Sequence, residues 1–351
     1  MQKSDSSPES NFFTANWKTA ICRGKPVSQD YMPLPIQNLI PGQEVPFEVL
    51  VRVRGTGKAG DQFKTCCSPG QKFEPVWLAK LRDAGLNRVY FRQRDQALVL
   101  KYLNESLPVV LDDDTLSVKE KAARVADVTY FWVNNLFAHT QTKVVQQLKQ
   151  GFDYVDHLLA FLRQDHSHRH WLLDLYRHDQ TLYSHCLNTS LLSMSFASHL
   201  GWEDHKIREL GRGSLLHDIG MTKVPAAVLA QKGKLTEDEW ELVKKHPYSG
   251  FAMLKAYSPV SREALLMVLQ HHENGDGSGY PEGLKMSRIH PYARVMRLVD
   301  SFDALVSPRS WRLGYPPAKA LWIMRQDWQQ SGMFDVSLLV ELIKFIAGEG
   351  K

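Results

Sequence analysis

At 351 residues, with 43% hydrophobic and 23% charged residues, the chain is long enough for two domains with cores of their own and ordinary in composition for a soluble globular protein. A formal net charge of +5 is too mild for a duplex nucleic-acid surface, so no nucleic-acid polymer is expected as partner, and it is compatible with a small anionic ligand. No apolar run approaches the roughly 20 residues of a membrane span, and the polar start Met1-Gln2-Lys3-Ser4-Asp5 lacks the apolar core of a signal peptide.

Residues 1–30 are polar, rich in Ser, Asn and Gln, and are expected to be a flexible lead-in. A small N-terminal domain over 31–110 follows. Val45, Phe47, Val49, Val51 and Val53 alternate with mostly polar partners, which predicts a strand with one buried face. Gly55 to Gly60 is a turn or loop, and Phe63 to Cys67 a return strand. Pro75 to Ala84 reads as a helix ended by Gly85, Arg88 to Arg92 as a strand, and Gln96 to Leu103 as a helix, with the domain closing near Pro108. Cys22, Cys66, Cys67 and Cys186 show no CxxC spacing, so reduced thiols in a cytoplasmic protein are expected.

Connecting helices are expected over 111–165. Ser117 with Glu120 fits a capping box and predicts a helix start near Val118. Val145, Leu148, Phe152, Val155, Leu159 and Leu162 repeat with 3-4-3-4-3 spacing. This seam fits either a homodimer through the 141–162 helix or a bundle helix packed within its own chain. From 166 to 351 the pattern is helical except around the motifs, with no Gly-rich phosphate loop and no internal repeat.

The strongest signal is a set of seven potential metal ligands in this second half: His185, His217, Asp218, His246, His271, His272 and Asp300. All 14 histidines lie between His139 and His290. Imidazole and carboxylate donors suit iron or manganese, with zinc as a further option, and seven groups are too many for one ion. Two metals about 3.5–4 Å apart clamp the attacking and leaving oxygens of a phosphate ester during in-line displacement, which makes phosphoester hydrolysis the expected chemistry.

In order, the motifs are His217-Asp218-Ile219-Gly220, His246-Pro247, His271-His272-Glu273 running on to Asp276-Gly277-Ser278-Gly279-Tyr280-Pro281, and Asp300-Ser301-Phe302-Asp303-Ala304-Leu305. From about Asp179 to Phe334 the chain resembles the HD superfamily of metal-dependent phosphohydrolases, and more narrowly the bacterial HD-GYP family. The resemblance implies a multidomain α+β protein, in which a small N-terminal α/β-type regulatory module precedes an all-α HD-GYP catalytic domain. It implies a phosphodiesterase that hydrolyses cyclic di-GMP to pGpG, GMP or both. In that picture the seven ligands hold two divalent ions, Asp218 bridges them, and a hydroxide between the metals attacks phosphorus while the ribose 3′ oxygen leaves. Arg309 and Arg312 fall where the family carries substrate-binding arginines. Gly279, Tyr280 and Pro281 form the signature loop, where Tyr280 either stacks on a guanine or shapes the loop. Asp303 is a candidate proton acceptor or a structural hydrogen-bond partner.

Two departures stand out. Met221 occupies the place of the family's usual lysine after His-Asp-x-Gly, and Lys223 is the nearest substitute. Thr181 replaces the glutamate that gives some members a third metal, so two ions are expected. In the N-terminal domain Arg88 and Arg92 form an Arg-x-x-x-Arg pattern similar to that of PilZ domains, although alternating strand positions explain it equally well. The alternatives to cyclic di-GMP hydrolysis are another cyclic dinucleotide such as 3′,3′-cyclic GMP-AMP, or a catalytically weak nucleotide-binding signalling protein.

Overall fold

The computed structural model describes residues 30–53, 62–138, 144–164, 182–229, 231, 233–308 and 312–348. The lead-in up to residue 29 with Cys22, the Gly55–Gly60 loop, Thr181 and Arg309 lie outside the described residues. The chain divides into two units: residues up to Thr115 with Ala123–Phe131, and Leu116–Ala122 with everything from Trp132 onward.

The first unit is built on β1 (Tyr31–Pro35), β2 (Glu44–Val45), β3 (Val49–Val53), β4 (Gln62–Cys67), β5 (Gln71–Lys72) and β6 (Arg88–Arg92). Four strands pair in the order β1-β6-β3-β4, every pairing is antiparallel, and β2 with β5 forms a separate ribbon. The module is thus antiparallel α+β and not of the α/β type expected. The long predicted strand is broken between Val45 and Val49, and its alternation fails because Val49 to Val53 are all buried, Leu50 and Arg52 included. The sheet is covered on both faces. On one face Phe47 packs edge-on to Phe91 and Tyr102 at 6.1 and 5.6 Å. On the other, Tyr31 stacks on Phe63 at 3.8 Å and Phe63 meets Tyr90 at 5.2 Å. Each fully buried aromatic or aliphatic side chain of this kind stabilises the fold by roughly 1.5–3 kcal/mol.

Helix α1 (Pro75–Asp83) starts with proline in its first turn and stops where Gly85 takes a φ of 71°. Helix α2 (Gln96–Leu111) runs past the expected end and through Pro108, because Leu107, Val110 and Leu111 are buried and hold the last turn. Arg92 is committed to Glu48 at 2.9 Å and lies over the Tyr31 ring, while Arg88 is exposed. The Arg-x-x-x-Arg pattern therefore follows from strand geometry. Cys66 and Cys67 are buried and unbonded, and burial pushes the Cys67 thiol up to about 11.

Helix α3 (Val118–Ala138) begins with the expected capping box: Glu120 N donates to Ser117 Oγ at 3.3 Å and Ser117 N to Glu120 Oε2 at 2.9 Å. Its Asp127 ties it to the first unit by accepting from Gln37 and Asn38. Helix α4 (Val144–Gln164) carries the heptad seam. Leu148, Phe152, Val155, Leu159 and Leu162 are buried within their own unit, and only Val145 of the six is exposed. The bundle alternative accounts for the seam, because α4 packs on the helix that ends in the His-Asp pair.

The second unit continues with α5 (Leu182–His199), α6 (Asp204–Leu216), α7 (Ala226–Leu229), α8 (Glu237–Lys244), α9 (His246–Leu254), α10 (Arg262–Gln270), α11 (Pro291–Val306), α12 (Pro317–Ser331) and α13 (Val336–Ala347). Helix α6 lies at the centre, against α4, α5 and α10, while α11 packs on α5, α10 and α12. Apolar residues at helical spacing drive this arrangement, among them Leu191, Met194, Leu210, Met267, Val295 and Val299, all buried. No described helix is long and apolar enough to cross a membrane.

Candidate metal centre

Three of the ligand helices end in the same way. A helix leaves its last carbonyls without intrahelical partners, and a histidine just past the end can turn its ring back onto one. His217 Nδ1 donates to Ser214 O at 2.6 Å, His246 Nδ1 to Val243 O at 2.8 Å, and His271 Nδ1 to Val268 O at 2.9 Å. A carbonyl oxygen only accepts, so each Nδ1 carries the proton and each Nε2 presents its lone pair inward. His185, in the first turn of α5, gets the same orientation from Asp303, whose Oδ2 lies 2.6 Å from its Nδ1. The helix ends of α6, α8 and α10, with α5 and α11, thus set up an inward-facing donor set.

The lone pairs converge. His185 and His217 face each other through Nε2 atoms 3.1 Å apart, and so do His246 and His271. Asp218 stands between the two pairs. Its Oδ2 lies 3.7 Å from His185 Nε2 and 3.6 Å from His217 Nε2, whereas its Oδ1 lies 3.1 Å from His246 Nε2 and 3.7 Å from His271 Nε2. Asp300 spans the same gap from the side, with Oδ1 3.3 Å from His185 Nε2 and Oδ2 3.8 Å from His272 Nδ1. Two groups result, His185-His217-Asp218 and Asp218-His246-His271-His272, each with its ligand atoms within 4.8 Å of one another.

Electrostatics point the same way. Burial alone would protonate Asp218, but the surrounding imidazoles, His217 first, hold its carboxyl well below the usual carboxylate range. Burial pushes His217 down to about 4 and His272 well below the ordinary imidazole value, with His271 adding to both. For His185 burial is outweighed by Asp300 and Asp303, which raise it. Paired nitrogen lone pairs against two buried carboxylates form a cluster that divalent cations satisfy. The donor set of five imidazoles and two carboxylates suits divalent cations, and Asp218 belongs to both groups.

The signature loop closes over this centre. Gly279 lies so close to the loop's start that a Cβ there would come within 2.5 Å of His272 O and 2.6 Å of Glu273 Cα. The Tyr280 ring sits 4.7 Å from His272, tilted by 30°, and edge-on to half-exposed Trp240 at 6.2 Å. Burial, with Asp300 and Asp218 nearby, raises the Tyr280 hydroxyl pKa. Pro281 is exposed and follows a cis peptide bond. The loop is tied down by Glu273, a buried carboxylate whose oxygens accept from Glu282 N at 2.6 Å and Leu284 N at 2.8 Å. Glu273 and Trp240 carry no role in the sequence reading. The one available signal was an acidic residue directly after two ligands.

Asp303, Arg312 and Met221 meet partners within the protein. Asp303 lies against His185 and accepts from Ser307 Oγ at 3.3 Å, in keeping with the structural one of its two expected roles. Arg312, expected at substrate, is turned to the backbone. Its Nη1 donates to the carbonyls of Leu305 and Leu313 at 2.9 and 3.1 Å, its Nη2 donates to that of Ala304, and the guanidinium lies over the Tyr315 ring. The free carbonyls and negative dipole end of α11 attract it. Arg312→Ala is expected to lower unfolding stability by about 1–2 kcal/mol while leaving KM unchanged, checked by denaturation and steady-state kinetics on the same sample. Met221 packs against the buried cluster of Val224, Val228 and Val243, which explains an apolar residue there. Lys223, at the end of the same 3-10 turn, is exposed and makes no ion pair among the described residues.

The HD domain family profile matches residues 168–338. Among curated proteins, "Cyclic di-GMP phosphodiesterase PA4108" of Pseudomonas aeruginosa is 36% identical over 197 residues, 55% of this chain and 46% of that protein. "3′3′-cGAMP-specific phosphodiesterase 3" of Vibrio cholerae is 41% identical over 118 residues, 34% of this chain and 25% of that protein. The matched stretches thus span under half the length of these relatives. Among solved structures, Bd1817, described as an HDG"Y"P protein from Bdellovibrio bacteriovorus, aligns with a TM-score of 0.64 at 22% identity, covering 89% of this chain and 98% of its own. Residues 168–338 of this chain match the HD domain, and the fold is shared with an HDG"Y"P protein.

Proposed function

We propose that this chain is a metal-dependent phosphodiesterase that hydrolyses cyclic di-GMP to pGpG and on to GMP. The observation that carries the reading is the pair of imidazole groups sharing Asp218, one carboxylate oxygen turned toward each. Two divalent ions held there, iron or manganese with zinc as a further option, would supply the positive charge that activates water and offsets the charge developing on a phosphodiester. The protein's own part is to fix the donors. Four Nδ1 atoms anchored on carbonyls or on Asp303 keep four Nε2 lone pairs aimed inward with no reorganisation. The Tyr280 ring, beside His272 and next to Trp240, offers an aromatic surface on which a guanine can stack. Lys223, exposed and unpaired, is available to a phosphate. The N-terminal sheet unit serves as the regulatory module, and the whole acts in the cytoplasm.

A second reading, hydrolysis of 3′,3′-cyclic GMP-AMP, is favoured by the similarity to the Vibrio cholerae enzyme with that specificity. The test is metal analysis on protein purified without oxygen, then turnover of both cyclic dinucleotides on the same sample. About two metals per chain with pGpG or GMP released is the expected result. Preferential cleavage of cyclic GMP-AMP would move the substrate assignment, and a metal-free protein would remove the centre on which either reading rests.

A further inference from the structure

Helix α11 carries two arginines one turn apart, and they are used differently. Arg294 pairs with Asp335 at 3.3 Å and donates to Ile289 O. Arg297, one turn before Asp300, has no carboxylate within ion-pair distance among the described residues. Instead its Nε donates to Asn274 Oδ1 at 3.0 Å and its Nη1 to Ser301 Oγ at 2.6 Å. Ser301 is itself held by donating to Arg297 O at 2.8 Å. The guanidinium lies over the Phe334 ring, 5.5 Å from its centroid. Its Nη2 makes no hydrogen bond among the described residues.

A half-buried cation clamped by two neutral groups and an aromatic face, without a counter-ion, is a costly arrangement for structure alone. Burial lowers its pKa, with the charge of Asp300 acting the other way. Its charge is felt in turn by His272 and Tyr280. Both hydrogen-bond partners of the guanidinium are neighbours of ligands, Asn274 two residues after His272 in the signature loop and Ser301 directly after Asp300, which sets it beside the centre. Arg312 is spent on helix carbonyls and Met221 is apolar, so neither supplies a cation here.

We propose that Arg297 is a substrate-binding residue of this centre, taking through Nη2 a phosphate oxygen of the cyclic dinucleotide. A cyclic dinucleotide carries two phosphodiester anions. The metal centre would take the one that is cleaved, and Arg297, fixed by Asn274 and Ser301, the other. A guanidinium suits this role because it stays charged and presents its remaining N–H groups in a fixed plane. The inference rests on the phosphodiesterase reading above.

The experiment compares wild type, Arg297→Gln and Arg297→Lys in the metal-loaded full chain on two substrates: cyclic di-GMP, and bis(p-nitrophenyl) phosphate, which has a single phosphate. The glutamine variant should raise KM for cyclic di-GMP roughly tenfold or more with a smaller change in kcat. The lysine variant should recover part of that loss, and kinetics on the small diester and metal content should match wild type. An unchanged KM for cyclic di-GMP in Arg297→Gln overturns the assignment. So does an equal loss on both substrates, or loss of metal, since either marks the arginine as a support for the loop. A wild type that turns over no cyclic di-GMP fails in a different pattern, and then the phosphodiesterase reading falls and takes this inference with it.

Discussion

Asp218→Asn is expected to abolish hydrolysis, by roughly 10³-fold or more, and to strip metal from the chain. The substitution keeps the shape of the side chain and removes its charge. Four imidazole nitrogens lie 3.1–3.7 Å from the two carboxylate oxygens, so one change acts on both ligand groups together. Asp300 would then be the one carboxylate left among the seven ligands to balance two cations. Stability separates this from a structural role. In metal-free protein the imidazoles that depress the Asp218 pKa already attract its charge, and the amide loses that attraction. The metal-free variant should therefore unfold at a lower midpoint than metal-free wild type, and the further rise that wild type shows on adding manganese should vanish. Elemental analysis and thermal unfolding with and without metal check both halves. A variant that keeps two metals and full turnover would sink the two-group centre.

The seven candidate ligands stand out in the sequence because their chemistry restricts residue type, and because four of them come as two adjacent pairs at helix ends. The heptad seam, the Ser117–Glu120 capping box and the Gly85 stop were legible too, since each depends on residues within a few positions of one another. What failed depended on what approaches from elsewhere in the chain. The alternation at Val49–Val53 gave one buried face, but a second layer of Tyr31, Phe63 and Tyr90 covers the other. Pro108 looked like a boundary until the burial of Val110 and Leu111 carried the helix past it. Arg312 and Asp303 have the right chemistry for substrate, yet one meets the carbonyls ending α11 and the other meets His185 across the α5–α11 contact. Sequence lists such partners without saying which pairs form.

Gly220→Ala is expected to be among the most destabilising single substitutions in the second unit, at about 3 kcal/mol. Gly220 lies inside the 3-10 turn Ile219–Lys223 and is not among the glycines with positive φ, so the backbone conformation itself tolerates alanine. The obstacle is space. An added Cβ would overlap the carbonyl oxygen of His246 and come within 2.7 Å of Gly250 N and 2.8 Å of His246 C. All three atoms are backbone, so no side chain can rotate away, and the turn after the His-Asp pair must separate from the start of α9. That separation moves His246 away from Asp218 Oδ1, now 3.1 Å from its Nε2, and loosens one ligand group more than the other. The expected outcome is a lower unfolding midpoint together with metal loss that falls mainly on the His246-His271-His272 group, seen as about one metal retained per chain. Thr222→Ala, on the exposed side of the same turn, should cost less than about 1 kcal/mol and keep both metals. A Gly220→Ala protein with wild-type midpoint and full metal content would mean that the two segments do not meet as closely as described.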